Sequence, residues 1–323
     1  MAIGSGLSAQ YGMKRETTYG TAVVVDRFLD IISSDIATTI GEIETELLGQ
    51  QYLTTGGTRS YAKGAEGNVE LPVMTKGMGV LFEQVFGNGT SAQVGSTTEY
   101  KQTYTPASTN GPSATVQLGK PAVSGTVHPF TYAGGKVTGW EFAMEIDGAL
   151  TLTVDWVFAS VTTGTALASP SYSAGRTQFT WDKATLTWGG TAVCVRQFSI
   201  KGERALDTER YCLGSTARKE PILNGISSVT IDAGGEFAGL DLNNDFVAGT
   251  QKALVITALG DTIPAESNPY KVVFTIAAAK LTDAAEPTID GPEILTQPAT
   301  FKALSNGTDP VITLEYHTTD TAI

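Results

Sequence analysis

The sequence has little cysteine, little histidine and a shortage of positive charge. It contains 2 cysteines and 2 histidines in 323 residues. Two cysteines cannot cross-link a small secreted scaffold, and we expect Cys194 and Cys212 to be buried free thiols. His128 and His317 have no neighbouring pattern of metal ligands, and the GxSxG motif of serine hydrolases is missing. These features argue against a disulfide framework, a histidine-rich metal site and a catalytic triad.

Basic residues are clearly outnumbered. The chain has 21 Lys and Arg against 33 Asp and Glu, a net charge of −12, and a pI near 4.6. Tight binding of nucleic acid depends on Lys and Arg that displace counterions from phosphates. The composition therefore argues against a protein that grips phosphate groups. Hydrophobic residues make up 41% of the chain, which is enough for a folded core.

Long hydrophobic runs are missing too. No apolar segment approaches the roughly 18 residues that span a bilayer. Residues 1–20 lack the basic-then-apolar order of a secretory signal. We expect a soluble protein made in the cytoplasm, without a membrane partner, a metal or a cofactor.

Most of the sequence alternates between apolar and polar residues, which is typical of half-buried β-strands. Residues 140–146 and 149–157 are the clearest examples. Asp147-Gly148 lies between them and favours a tight hairpin turn, which needs positive φ. The same pattern predicts strands at Thr187 to Lys201, Ser227 to Asp232, Leu254 to Leu259, Tyr270 to Ala278 and Val311 to Tyr316. The predicted class is mainly β.

Helical periodicity is sparse. One apolar stripe at helical spacing consists of Met74, Met78, Leu81, Phe82, Val85 and Phe86. Gly87 ends it, as glycine commonly ends helices. A weaker candidate runs from Asn244 to Leu254. We predict one or two short helices.

The two halves of the chain have the same order of features, which indicates a repeated architecture. Each half has a strand, an acidic strand, another strand, a helix and further strands. The matching pairs are Lys136-Val137-Thr138 with Lys280-Leu281-Thr282, Tyr100-Lys101 with Tyr270-Lys271, and Ile146-Asp147-Gly148 with Ile289-Asp290-Gly291. Residues 1–168 hold 9 basic and 15 acidic groups and residues 169–323 hold 12 and 18, so each half has a net charge of −6. We favour tandem duplication of one β-domain, and a chance match of strand order stays open.

The predicted organisation has three parts. Residues 1–25 have no periodic core face and are predicted to be an N-terminal arm. Residues 26–165 form the first β-domain and residues 166–323 the second. The segment from Thr162 to Ser173, rich in Gly, Ser, Thr and Pro, is the predicted linker.

Each half contains an acidic strand. Alternation places three carboxylates on one strand face in each half, which are Glu42, Glu44 and Glu46, and then Glu203, Asp207 and Glu209. Neighbouring like charges repel each other, so a functional purpose is one interpretation. An ordinary solvated face is the other.

The N-terminal sequence resembles a known family. The segments are Leu7-Ser8-Ala9-Gln10, Glu16-Thr17-Thr18-Tyr19-Gly20-Thr21, Asp26-Arg27-Phe28-Leu29, Gly67 to Val73 and Lys76 to Leu81. Together they are similar to the tail tube, or major tail, proteins of bacteriophages with long non-contractile tails. The resemblance covers about the first 150 residues.

This resemblance implies a structural virion protein and no enzyme. It implies two tandem β-sandwich or barrel domains of the tail-tube type, each with a short helix, in a ring with a continuous inner β-barrel. Rings stack head to tail into a tube that holds the tape measure protein and passes DNA during ejection. Fused tube domains form trimeric rings and single domains form hexameric rings, so the internal repeat favours a trimer.

Two further expectations concern residues. The carboxylates Glu42, Glu44, Glu46, Glu203, Asp207 and Glu209 are candidates for an acidic channel lining that lets DNA slide without sticking. Leu7, Gln10 and Tyr19 are candidates for contact between the N-terminal arm and a neighbouring subunit or ring. Deleting the arm is then expected to stop assembly and to leave the monomer folded.

Alternative functions stay open. Trp140, Trp156, Trp181 and Trp188 permit a carbohydrate-binding or adhesin β-sandwich, although core packing is the ordinary role of strand tryptophans. Unplaced carboxylates permit a β-sandwich hydrolase. A tail-terminus or baseplate component would share the features of a tube protein.

Overall fold

The computed structural model describes residues 4–264, 266–284, 286–287, 289, 291–292 and 294–323. Its two α-helices are α1 (Gly79–Phe86) and α2 (Asp241–Ala248). The strands up to residue 162 are β1 (Gln10–Arg15), β2 (Arg27–Leu29), β3 (Ser33–Ser34), β4 (Ala37–Glu44), β5 (Thr58–Pro72), β6 (Gly87–Gln93), β7 (Tyr100–Pro106), β8 (Ala114–Pro121), β9 (Val127–Glu145), β10 (Thr151–Phe158) and β11 (Ser160–Thr162). The later strands are β12 (Ala184–Trp188), β13 (Thr191–Val193), β14 (Val195–Glu203), β15 (Leu206–Asp207), β16 (Ile222–Leu223), β17 (Ser228–Glu236), β18 (Gln251–Thr262), β19 (Pro269–Ala284), β20 (Thr296–Ala303) and β21 (Thr313–Thr318). The prediction of a mainly β chain is confirmed. In the part described here, neither helix is long and apolar enough to cross a membrane.

One antiparallel run of strands crosses the whole molecule. Its order is β4–β5–β10–β9–β14–β17–β20–β19, with β3 beside β5 in line with β4. The strand β9 is long enough to pair with β8 and β11 through its first part and with β10 and β14 through its second. The ladder between β9 and β14 joins the earlier strands of the run to the later ones.

Shorter strands extend this run at two places. Strands β2, β1 and β8 lie beside the first part of β9. Strands β12 and β13 continue outward from β18, which pairs with β19. On the other side of β19, β21 pairs with β7, and β7 pairs with β6. The β21–β7 ladder brings late and early parts of the sequence into one core.

The run contains the same strand irregularity twice. Between β10 and β9, the register shifts so that Thr138 is passed over. Between β20 and β19, the register shifts so that Thr282 is passed over. Each threonine hydroxyl donates a hydrogen bond across the bulge, from Thr138 to the Asp155 carbonyl (3.4 Å) and from Thr282 to the Thr300 carbonyl (3.1 Å). A bulge re-aims a strand, so both ladders bend at the same point.

The two bulges give a reference point from which residues of one four-strand group can be matched with residues of the other. Asp155 lies opposite Gly139 and Asn68, and Thr300 lies opposite Asp283 and Asp232. Strand order and bulge position agree between β4–β5–β10–β9 and β14–β17–β20–β19. The two four-strand groups therefore have equivalent ladders.

The two groups also have connections of equal length between their first two strands. The first begins after the pair Thr39↔Gly64 and the second after the pair Glu203↔Ser228. We call residues 40–63 the first connection and residues 204–227 the second connection. Both form a further short ladder, which is the outer part of β4–β5 in one and β15–β16 in the other.

The core lies behind the run and includes α1. The apolar stripe of α1 places Phe82 against Tyr104, Phe142 and Tyr316, with ring centroids 5.2 to 5.9 Å apart. Phe142 in turn meets Phe274 at 4.8 Å. Full burial of one such side chain is worth about 1.5–3 kcal/mol. The helix predicted from this stripe is confirmed over Gly79–Phe86, and Gly87 ends it with φ of 91°.

Several boundaries differ from the predictions. The Thr187 to Lys201 segment is three strands, because Gly189 and Gly190 have positive φ and turn the chain. The second helix ends at Ala248, since Gly249 adopts a left-handed conformation and residues from Gln251 onward join β18. The hairpin at Asp147-Gly148 is confirmed between β9 and β10.

Two further expectations concern the matched sequence pairs and the thiols. Tyr100-Lys101 and Tyr270-Lys271 lie on β7 and β19, which occupy different places in the sheet. Asp290, in the Ile289-Asp290-Gly291 match, lies outside the described residues. The prediction of buried thiols is wrong, because Cys194 and Cys212 both lie in exposed segments between or beyond strands.

The N-terminal segment is part of the sheet over much of its length. Gln10–Arg15 forms β1, which pairs with β2 and β8. Tyr11 and Met13 are fully buried. The expectation that residues 1–25 lack a core face is therefore wrong for β1. A strand of only six residues shows too few alternations to be recognised from the sequence.

Candidate functional site

One face of the long run is open and acidic. Side chains on neighbouring paired residues share a face of a sheet, and Phe142, Val154 and Ile200 face the core. The opposite face is the outward one. Its acidic side chains are Asp35, Glu66, Glu70, Glu141, Glu145, Asp155, Glu203, Asp232, Glu236 and Asp283, and its basic ones are Lys136, Arg196, Lys201, Lys280 and Lys302. We call this surface the acidic face.

Asp155 lies close to several other carboxylates. Gly139 lies directly opposite it, and a Cβ at Gly139 would meet the Asp155 carboxylate at 2.6 Å. Partial burial raises the pKa of Asp155, and the nearby carboxylates of Asp35, Glu141 and Glu203 raise it further. Nearby negative charges disfavour the ionised form of a carboxyl group, and here they act on Asp155. The group stores electrostatic repulsion on an open surface.

Two of the basic groups on this face, Lys201 and Arg196, are paired with acidic ones. The Lys201 Nζ lies 3.5 Å from Glu141 and 3.9 Å from Asp232, and Arg196 lies 2.8 Å from Glu236. These pairs are largely exposed, so each adds little stability. Their effect is to neutralise the cations, which leaves the face with excess negative charge.

The six predicted carboxylates do not all lie together. Glu203 ends β14 and lies on the acidic face, opposite Gly139. Glu42 and Glu44 lie on the outer part of β4, beyond the run, and Glu46 follows it. All three of these are exposed.

The predicted shared face of Glu203, Asp207 and Glu209 is wrong. Strand β14 ends at Glu203, and the last bond to β9 runs from the Arg204 amide to the Thr138 carbonyl. Asp207 lies in the separate two-stranded sheet of β15 and β16. Glu209 follows β15 without strand structure, 3.9 Å from Lys63 and 4.0 Å from Arg218.

Most of the acidic face was missed because its charges are divided among strands. A single strand contributes one or two of them, as Asp155 does on β10 and Glu141 and Glu145 do on β9. In the sequence, these residues appear only as the polar positions of the alternating strands. Only the pairing order brings these members together.

Two of the three predicted contact residues of the arm have partners within the chain. The Gln10 side chain donates to the Ala168 carbonyl at 2.8 Å. The Tyr19 hydroxyl donates to the carbonyls of Arg218 (3.5 Å) and Lys219 (3.4 Å). Leu7 is almost fully exposed and has the surface that a contact with another molecule needs.

The second connection is docked on the earlier strands by polar contacts. Buried Lys136 donates to the Glu220 carboxylate at 2.8 Å and to the Gly111 carbonyl at 2.6 Å. Burial lowers the pKa of Lys136, and Glu220 opposes that shift. The Tyr211 hydroxyl donates to the Lys63 carbonyl at 3.0 Å. This contact fixes the two strand groups relative to each other.

Arg218 is a buried cation within the second connection itself. Its Nε donates to the Tyr211 hydroxyl at 3.2 Å, and its guanidinium lies 3.9 Å from Glu66. Arg204, at the start of the connection, donates to the Asn110 carbonyl at 3.1 Å. The docking surface thus combines cations from both sides with carbonyl and carboxylate acceptors.

Other candidate chemistry has structural surroundings. Among the described residues, no group of three His, Cys, Asp or Glu side chains is placed to hold a metal ion. His317 is buried against Glu99, and burial lowers the pKa of His317. Trp140, Trp156 and Trp188 are buried in the core, and Trp181 is partly exposed. The predicted core role of the strand tryptophans is confirmed for those three.

The fold is mainly β, with many antiparallel strands and one acidic sheet face. The family model described as phage tail tube protein matches residues 6–303, so the chain belongs to the phage tail tube protein family. This confirms the resemblance noted in the N-terminal sequence. Membership makes the chain a structural protein of the virion tail that self-assembles into a tube. No curated protein sequence matches the chain.

Proposed function

We propose that three copies of the chain close into a ring, and that rings stack head to tail into the tube of a long non-contractile tail. In each copy, residues 26–165 and 166–323 act as two tube domains. The ring then contains six similar units. A hexamer of chains is the alternative arrangement.

Support for two units comes from the strand ladders. The groups β4–β5–β10–β9 and β14–β17–β20–β19 have the same order, the same bulge at Thr138 and Thr282, and the same hydrogen bond across that bulge. The β8–β9 and β18–β19 ladders also shift register at equivalent points, after Ala114 and after Lys252. These four agreements favour duplication over a chance match of strand order.

In this proposal the acidic face lines the channel. It belongs to the run of strands that passes from one unit to the next, which is the part that a closed barrel needs. The carboxylates around Asp155 repel DNA phosphates, so DNA slides through without tight binding. The tape measure protein occupies the same channel before DNA passes.

The proposal assigns different places to the predicted carboxylates. Glu203 lies in the channel lining. Glu42, Glu44 and Glu46 belong to the first connection and Asp207 and Glu209 to the second, so these five lie where units meet. Leu7 and its neighbours before β1 contact an adjacent subunit or ring.

The single observation that favours this function most is the β9·β14 ladder. It joins two equivalent strand groups into one continuous sheet within one chain. Ring closure repeats such a junction and removes the sheet edges that would otherwise aggregate.

The experiment is electron microscopy of the purified chain with a mass measurement of single rings. Three copies of the 33.9 kDa chain are expected per ring, in rings or tubes of uniform diameter. Rings of six chains would support the hexameric alternative. A chain that stays monomeric at high concentration and binds glycans would support the adhesin reading and contradict the proposal.

A further inference from the structure

The chain contains one junction between its two strand groups and leaves open the edges that a second junction would use. Within the chain, residues 197–203 of β14 pair with residues 139–145 of β9. At the beginning of the first group, β3 and β4 pair only with β5 in the described part of the chain. At the end of the second group, β19 pairs with β20 as far as Ala284, while its pairing with β18 stops at Lys280.

We propose that these two open edges pair between neighbouring copies, in the register of the internal junction. The inference rests on the proposed function and specifies its subunit contact. Thr39 has the ladder position of Glu203, and Asp283 has that of Gly139. Since Glu203 pairs with Gly139, Thr39 of one copy lies opposite Asp283 of the next.

The surroundings of two equivalent lysines support this register. Lys136 lies on β9, next to the stretch that pairs with β8. It donates to the carbonyl of Gly111, which has φ of 70°. Lys280 has the same place beside β18, and a Cβ at Gly249, which has φ of 64°, would lie 3.7 Å from its Nζ. Lys136 is covered by Glu220 of the second connection. Among the described residues, Lys280 has no carboxylate within 4 Å, so its position is open to a second copy.

The first connection supplies matching apolar surface. In the second connection, the Tyr211 hydroxyl contacts the Lys63 carbonyl. Counted from the two equivalent ladder pairs, Leu47 has the place of Tyr211 and Ser227 has the place of Lys63. Leu47 of one copy therefore lies against Ser227 of the next. Leu47 and its neighbour Leu48 are exposed, and so is Ile226, next to Ser227. Exposed apolar side chains on both surfaces are buried when the copies meet, which favours association.

Disulfide trapping in assembled material tests the register. In a background of Cys194→Ser and Cys212→Ser, Thr39→Cys is combined with Asp283→Cys, because directly opposed residues approach closely enough to form a disulfide. We expect covalent species of two and three chains on non-reducing gels. The register control combines Ser33→Cys with Asp283→Cys. Ser33 lies on the same edge, about 20 Å further along, so cross-linking is expected to be at least ten times slower.

An internal positive control has the same ladder geometry. Ala143→Cys and Ser199→Cys lie opposite each other in the β9·β14 ladder and are expected to oxidise within one chain without a gain in mass.

Hydrogen exchange of the cysteine-free background adds a readout that needs no new cysteines. Amides of residues 33–39 and 281–284 are expected to gain protection on assembly.

The outcomes separate the two proposals. Tubes that form without the Thr39–Asp283 cross-link, or with equal cross-linking from Ser33, overturn the register and leave the tube function standing. Tubes in which residues 33–39 and 281–284 stay unprotected also overturn it. A chain that does not assemble at any concentration overturns the proposed function together with this inference.

Discussion

The two connections occupy equivalent places in the sheet and have opposite surroundings. The second connection buries Arg218 and holds Tyr211 and Glu220 against the earlier strands. The first connection leaves Leu48 and Tyr52 exposed. Both begin from equivalent ladder pairs and have equal length. Local strand pairing therefore does not explain the difference. What differs is whether another strand group of the same chain lies beside the connection.

Side-chain chemistry follows this difference. The docked connection uses charged and hydroxyl groups that find buried partners, such as Lys136 with Glu220. The exposed connection offers apolar groups, namely Leu47, Leu48 and Leu53. Contiguous exposed apolar residues mark interaction surfaces in soluble proteins. One chain thus contains an occupied version of this contact, at the second connection, and an unoccupied version, at the first connection.

The largest expected effect comes from breaking the occupied contact at Lys136. Lys136→Ala removes the donor to Glu220, Asn110 and Gly111 and leaves a small cavity. Loss of a buried, charge-assisted contact costs about 2–3 kcal/mol of unfolding free energy. Urea denaturation of the monomer measures this loss.

Lys280→Ala is the matched control for that substitution. Lys280 has the equivalent place and no carboxylate partner among the described residues, so the monomer is expected to lose about 0.5 kcal/mol or less. Assembly is expected to weaken instead. Equal destabilisation of the monomer by the two alanine variants would contradict the comparison.

The second prediction concerns the exposed connection. Leu48→Asp places a charge where the proposed contact buries an apolar side chain, and an unpaired buried charge is costly. The concentration needed for assembly is expected to rise at least tenfold, while the unfolding free energy of the monomer stays within about 0.5 kcal/mol. Sedimentation and denaturation measure the two quantities.

Leu213→Asp provides the control within the second connection. Leu213 is fully exposed although its connection is docked, so the equivalent contact does not need it. Assembly and monomer stability are both expected to stay close to those of the unmodified chain. A loss of assembly as large as that of Leu48→Asp would mean that any added charge prevents tube formation.

The sequence predicts the local part of this fold well. Alternation identifies β9 and β10, because each shows enough residues of one period to define its buried face. The turn at Asp147-Gly148 follows from its need for positive φ. The stripe of α1 follows from its 3.6-residue period. These features depend only on neighbours along the chain.

The acidic face and the docked connection depend on neighbours in space. Glu141, Asp155 and Asp232 come together because β10, β9, β14 and β17 lie side by side, and no spacing along the sequence encodes that order. The predicted alternation past Glu203 fails because the β14–β9 ladder ends there, with a last bond from the Arg204 amide to the carbonyl of the bulge residue Thr138. A strand end is decided by such tertiary partners.

The third prediction compares the loss of one tyrosine hydroxyl from each connection. Tyr211→Phe removes the bond to the Lys63 carbonyl and the acceptor of the Arg218 Nε. Because Arg218 is buried, the monomer is expected to lose about 1 kcal/mol. Tyr52→Phe in the exposed first connection is expected to change nothing measurable. Equal effects at both sites, measured by urea denaturation, would show that the docked hydroxyl adds no stability.

The smallest expected effect concerns the charge at the internal junction. The pKa of Asp155 is raised in the folded chain by partial burial and by neighbouring carboxylates. The folded chain therefore binds this proton more tightly than the unfolded chain. Its contribution to stability is greatest below the ordinary aspartate pKa of about 4 and is lost as pH rises through the raised pKa. In the Asp155→Asn variant this side chain cannot ionise, so stability is no longer lost at this site as pH rises.

Asp155→Asn is therefore expected to stabilise the monomer at pH 7 by about 0.5 kcal/mol, with a smaller gain at pH 4. Asp232→Asn is the opposite case on the same face. Asp232 accepts a hydrogen bond from the Thr300 hydroxyl at 2.8 Å and lies near Lys201, so its loss is expected to destabilise slightly at pH 7. Denaturation of both variants at the two pH values separates repulsion around Asp155 from a general response to lost negative charge, because a general response would shift both in the same direction.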